Sequence, residues 1–167
     1  MKTMTSLPVA IFSWLGALWA AFIFLSSLPY KFTGHPDTQH IFGTIGSWLE
    51  GFVGPLGTLF SQYGGYVIGT GELVVSLLLL APGIFWVLSK LGLAKAKDRS
   101  AFHSVGGLGA MCLMLGAVFF HLASPLGIEV LHQGGSDGGS LFRAAVSIVI
   151  IGAALFLMNG RQFKNPF

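Results

Sequence analysis

The chain has 167 residues, 53% of them hydrophobic and only 9% charged, with a mean hydropathy of +0.77 and a formal net charge of +3. No polar stretch is longer than the connection from Tyr30 to Tyr63, which leaves no room for a separate soluble catalytic domain. The small positive charge is explained by membrane topology and gives no argument for nucleic acid, and the single cysteine, Cys112, excludes an internal disulfide or dithiol couple.

Crossing a hydrocarbon core takes about 20 helical residues. Four stretches are long and apolar enough: Leu7 to Pro29, Gly64 to Ser89, Ala101 to Ala123 and Leu141 to Met158. The fold expected is all-α, a single integral membrane domain of four bundled helices with an amphipathic interfacial segment over residues 30–63. The first stretch follows Lys2, is too long for a signal-peptide core and has no small-x-small cleavage site, so it reads as a retained helix.

The connection after it mixes Ile41, Phe42, Ile45, Trp48, Leu49, Phe52, Val53, Leu56, Leu59 and Phe60 at spacings of three and four. That pattern predicts a short amphipathic helix, capped by Asp37 or Thr38 and broken at Gly54-Pro55-Leu56-Gly57, with a second short turn before the membrane is re-entered.

Glu72 lies within the unbroken apolar run of the second span. An ionisable group at membrane depth costs at least about 2.5 kcal/mol on insertion scales, so it needs a partner, water or a proton. Lys90, Lys95, Lys97 and Arg99 crowd the next connection, while Lys2, Arg161 and Lys164 flank the termini. Basic residues stay on the cytoplasmic side, which puts both termini and the middle loop there and the two longer connections outside. The second outer connection, Gln133 to Ser140, has the glycine and serine content of a flexible polar linker.

Residues three and four apart share a helix face. The small and polar stripes are Ser13, Gly16, Ala20 and Ser27 in the first span and Gly65, Gly69, Glu72 and Ser76 in the second. The third carries His103, Gly107, Ala110, Met114, Ala117 and His121, and the fourth Arg143, Ser147 and Ala154. These are the expected inner faces, because small residues let membrane helices approach closely. Glu72 then lies roughly 11 Å inside the second span, with His121 and Arg143 about one turn inside theirs. A pair between Glu72 and Arg143, with His121 or Lys31 in reach, would satisfy the carboxylate and form an outward-opening polar pocket. Lys31, Glu72, His121 and Arg143 are therefore the candidates for ligand binding or proton exchange, and no catalytic residue is assigned.

His103, beside the basic loop, reads as interfacial and Cys112 as a small apolar core residue. His121 is the one histidine in the outer half of a span, so bis-histidine haem ligation is not expected. His35, His40 and His132 have no metal-ligand spacing, and no metal site is expected from them.

Leu28-Pro29-Tyr30-Lys31-Phe32-Thr33-Gly34-His35-Pro36, followed by Phe42 and Gly46, resembles the motif after the first span of the DoxX-like membrane family. Gly69-Thr70-Gly71-Glu72-Leu73 resembles its second-span motif, Gly116-Ala117-Val118-Phe119-Phe120-His121-Leu122 its third, and Arg143 fits the start of the fourth. The resemblance covers nearly the whole chain in order. It implies a four-helix bundle in the bacterial inner membrane, with roles in that family ranging from quinone-coupled sulfur oxidation and redox complexes to assembly. Lys31, Gly34, Glu72, His121 and Arg143 are the positions that match; the absence of a cysteine pair argues against thiol chemistry in this chain.

Two readings stay open. One is a subunit of a quinone-linked or other membrane redox system, with quinone as its cofactor and a larger complex or redox protein as partner. The other is a non-catalytic accessory or assembly subunit, docked through Phe42, Trp48, Phe52 and Phe60, in which the ion pair only holds the bundle. Four spans without inverted repeats offer little machinery for a transporter.

Overall fold

The computed structural model describes residues 6–163, and of 161–163 the backbone only. The elements are α1 (Leu7–Phe32), α2 (Pro36–Val53), α3 (Pro55–Lys90), α4 (Arg99–Ala123), the two-residue strands β1 (Leu131–His132) and β2 (Gly135–Ser136), and α5 (Ser140–Phe163). Four helices are long and apolar enough to cross a membrane, α5 through Ser140–Gly160. Only 22% to 33% of the most apolar window of each is buried within the chain. The remainder is half-buried or exposed, and the exposed part suits lipid as the solvent for a helix bundle. Lys2 and Lys164, and the side chain of Arg161, on which the expected orientation partly rests, lie outside the described residues.

The bundle packs around Ala17, Ala20, Phe24, Val75, Leu79, Ala110, Met114, Ala145, Ile148 and Leu155. Without water to exclude, close contact must come from shape, and glycines supply it. At the α4–α5 crossing, a Cβ on Gly107 would lie 2.6 Å from Leu155 Cβ and 2.8 Å from the Gly152 carbonyl oxygen. The inner stripes expected for α1, α3 and α4 are the observed ones, except that Ser27 and Ala117 are half-buried. The stripe of α5 is different: Ala145, Ile148, Gly152, Leu155 and Asn159 are buried, while Arg143 is exposed and Ser147 and Ala154 are half-buried. Small size marked the wrong face there, because large Leu155 packs on Gly107 of α4 and Ile148 joins the core.

The segment between the first two spans forms α2, packed on the first turns of α3. A Cβ on Gly46 would meet the Gly57 carbonyl oxygen at 2.7 Å, so the two helices touch along their backbones. The cap is neither Asp37 nor Thr38: His35 stands at the N-cap position, and its Nδ1 accepts from the Asp37 N–H at 3.3 Å. The second short turn expected after Gly54 does not occur. Gly54 at φ 56° makes the whole break, and Pro55, already suited to a first helical turn, starts a continuous 36-residue α3.

Gln133 to Ser140 is not a linker without structure. Leu131 pairs with Ser136 and His132 with Gly135 in a small hairpin, and Asp137 accepts from the N–H groups of Val130 (2.7 Å), Gly139 (2.9 Å) and Leu141 (2.9 Å). Burial works to raise the Asp137 pKa, but these three N–H donors and the Ser140 hydroxyl outweigh it and hold the carboxyl below its ordinary value.

Candidate functional site

The site begins with a helix approach. Gly69 precedes Glu72 by about one turn of α3, and a Cβ on it would stand 3.3 Å from Lys31 Cβ and 3.3 Å from Phe32 Cε1. Lacking that carbon, α3 lets the end of α1 lie directly on it. Lys31 Nζ thereby reaches Glu72 Oε2 at 2.7 Å. Ser27, one turn before Lys31 on the same face, donates to the same oxygen at 2.8 Å, and its Oγ also accepts from Lys31 Nζ at 2.8 Å. Glu72 is 3% exposed. The carboxylate is thus neutralised by an ammonium and held by a hydroxyl, which is how a buried charge is tolerated.

The expected partnership with Arg143 is not formed; Lys31 takes its place. The reason is helix order, since α3 packs on α1, α2 and α4 whereas α5 packs on α4 and α1. Arg143 instead faces the cavity from the far side, where its Nη1 donates to the Gly138 carbonyl at 2.8 Å. Among the described residues no carboxylate lies within 4.0 Å of its guanidinium.

His121 is buried near the end of α4. Its Nδ1 is 2.6 Å from the Gly127 carbonyl, and its ring meets Phe142 edge-on at 5.7 Å. A carbonyl can only accept, so Nδ1 carries the proton and Nε2 is left as the acceptor or second donor. Gly34 sits just after α1 at φ 65°, and its carbonyl accepts from Gln39 Nε2 at 2.9 Å.

Lys31, Glu72, His121 and Arg143 all line one cavity of about 820 Å³ at the end of the bundle that carries α2. That is within the roughly 300–1,000 Å³ of sites that bury a drug-sized ligand. Its walls are otherwise mostly apolar, with Ile23, Phe24, Ile68, Leu113, Met114 and Phe120 among them. Above it, α2 and the hairpin are joined: His132 Nδ1 donates to Asp37 Oδ1 at 2.8 Å, and the His40 and His132 rings stack at 4.5 Å. His35 Nδ1 lies 3.4 Å from the other Asp37 oxygen. The fold thus brings the three outer-loop histidines near one carboxylate, yet among the described residues no group of three or more ligating side chains is placed to hold a metal ion.

The aromatic set assigned to docking is mostly turned inward. Phe42 is buried against Gly64 and Phe60, and Trp48 and Phe60 pack on Phe120; only Phe52, at 71% exposed, faces outward. Cys112 lies on the outward face of α4, not in the core, two residues from both Ala110 and Met114 on the buried stripe.

A second polar cluster lies at the opposite end. Asn159 Nδ2 donates to Ser13 Oγ at 3.1 Å and to the Leu155 carbonyl at 2.9 Å, and its Oδ1 accepts from Arg99 Nη1 at 3.0 Å. Beside it His103 is fully buried, with Nε2 donating to the Leu79 carbonyl at 3.1 Å and, among the described residues, Nδ1 without a partner. The sequence reading missed Asn159 because it ended the fourth span at Met158; the three-and-four spacing from Ile148 through Gly152 and Leu155 would have pointed to it.

Comparison with protein-family models, with curated proteins and with solved structures finds no match in any of the three. The fold and site themselves define the class: a multi-pass helical membrane protein with a buried ion pair on the wall of a mostly apolar cavity.

Proposed function

We propose that this chain is a DoxX-like protein of the bacterial inner membrane, with both termini cytoplasmic. In this reading it is a subunit of a quinone-linked or similar membrane redox system whose electrons come from a partner protein. The observation that supports it most is the Lys31–Glu72–Ser27 cluster, a titratable pair in the wall of a cavity with the volume and apolar lining that suit a lipid-soluble ring. A quinone, when bound, supplies a two-electron, two-proton couple. Lys31 and Arg143 are donors suited to holding carbonyl oxygens. Glu72, whose Oε2 takes both hydrogen bonds, is the group to accept and release a proton, with His121 Nε2 as the second.

The test is Glu72→Gln in native membranes. Quinone-dependent turnover should fall by about 10²-fold or more with the protein still inserted at normal level. Unchanged turnover would remove Glu72 from the chemistry and leave it a structural residue of an accessory subunit.

A further inference from the structure

We infer that the cavity is entered sideways, from the lipid, through the seam between α1 and α5, and that its ligand is an amphiphile whose apolar chain leaves by that seam. This rests on the reading of the cavity as a ligand site and adds its route and the shape of its occupant. The other seams between neighbouring spans are bridged by side chains at this level. Lys31 and Phe32 lie on Gly69 between α1 and α3, Leu113 stands against Gly71 between α3 and α4, and His121 meets Phe142 between α4 and α5.

Helices α1 and α5 behave differently along their length. Toward the opposite end they interlock: Ser13 bonds to Asn159, and a Cβ on Gly16 would be 2.9 Å from Ile151. Trp19 Nε1 donates to Ser147 Oγ at 3.1 Å. Beyond that bond, among the described residues, no hydrogen bond or ring contact joins the two helices, and the facing residues of both line the cavity. Ser26, Tyr30 and Leu141 line it and are also exposed, so the wall is open at this seam. From Trp19 to Tyr30 the slot runs roughly 16 Å along α1.

Polarity along the slot sets the ligand's orientation. Lys31, Arg143, Asp37 and the Tyr30 end lie toward α2, whereas Trp19, Ile23 and Ala144 line the part nearer mid-bundle. A polar head rich in acceptors is therefore held by Lys31 and Arg143, with its chain passing Trp19 and Ala144 into the bilayer. A small tailless molecule needs only the space beside Lys31 and Arg143 and none of the seam, so its binding separates the head site from the chain's path.

The test uses the full-length protein in phospholipid nanodiscs and two probes, a decyl-substituted benzoquinone and the same benzoquinone without the chain. Saturable quenching of Trp19 is read as the difference between the unmodified protein and Trp19→Phe. Two plugs stand on the two sides of the seam, Ser26→Phe on an exposed position of α1 and Ala144→Phe on α5, so that failure of one to fold leaves the other. Both plugs should abolish the saturable quenching by the decyl probe and spare that by the tailless one. Undiminished decyl binding in the plugged proteins would overturn the route, and equal loss of both probes would mean that the seam holds the head, which also overturns it. No saturable quenching by either probe in the unmodified protein would sink the cavity reading itself, a result distinct from the other two.

Discussion

Gly69 and Lys31 are in contact through the carbon that glycine lacks: a Cβ at Gly69 would lie 3.3 Å from Lys31 Cβ and 3.4 Å from Lys31 Cδ. The ion pair with Glu72 depends on that approach. Replacing Gly69 by Ala asks the lysine stem to give by a few tenths of an ångström, and the gain in helix propensity of about 1 kcal/mol offsets much of the strain. Gly69→Val gains only a few tenths of that, about 0.3 kcal/mol, and brings two further carbons against Lys31 and Phe32. It should destabilise the protein by about 1–3 kcal/mol, measured by denaturation in detergent, and separate Lys31 from Glu72. A Gly69→Val protein as stable as the parent would show that the helices do not need this contact.

Lys31 and Glu72 should be energetically coupled. Lys31→Met leaves a buried carboxylate without its cation, and Glu72→Leu strands the ammonium, each at about 3–5 kcal/mol. The double variant should recover a large part of the loss, giving a coupling energy above about 1 kcal/mol in a double-mutant cycle. Strictly additive losses would mean that the pair is not formed in the membrane.

At the opposite end, Asn159 serves Ser13, Arg99 and the Leu155 carbonyl together. Asn159→Ala leaves a buried hydroxyl and a guanidinium N–H unsatisfied and should cost about 1–3 kcal/mol. Asn159→Gln, with the same groups on a longer stem, should not restore it. Denaturation midpoints of the two variants check this, and a neutral Asn159→Ala would show that water replaces the amide.

Asp137 makes the hairpin connection acid-resistant. Its folded pKa is held below the ordinary carboxyl value, so the charged form is favoured in the folded loop. The stability it contributes is present above the unfolded pKa of about 3.9 and is lost as pH falls through the lower folded value. Amide exchange at Val130, Gly139 and Leu141 should stay slow down to about pH 4 and rise only below it. In Asp137→Asn the same amides should exchange faster at neutral pH and show no such transition. Early loss of protection in the parent, well above pH 4, would contradict the bonding seen here.

The sequence by itself determined the number of spans and which faces of α1, α3 and α4 turn inward, because hydropathy over about 20 residues and a three-and-four spacing of small residues are local properties. It also marked Glu72, since a carboxylate in an apolar run is costly wherever the helix packs. Tertiary structure alone decided its partner. By depth the sequence pointed to Arg143 with Lys31 only within reach, and the order of helices around the bundle, with α1 beside α3 and α5 across the cavity, chose Lys31 instead. The same holds for Asp137: its glycine-rich surroundings looked like linker until three backbone N–H groups converged on one carboxylate. Such convergence joins residues through turns and crossings that no periodicity encodes, and so do the approach at Gly69 and the open seam between α1 and α5.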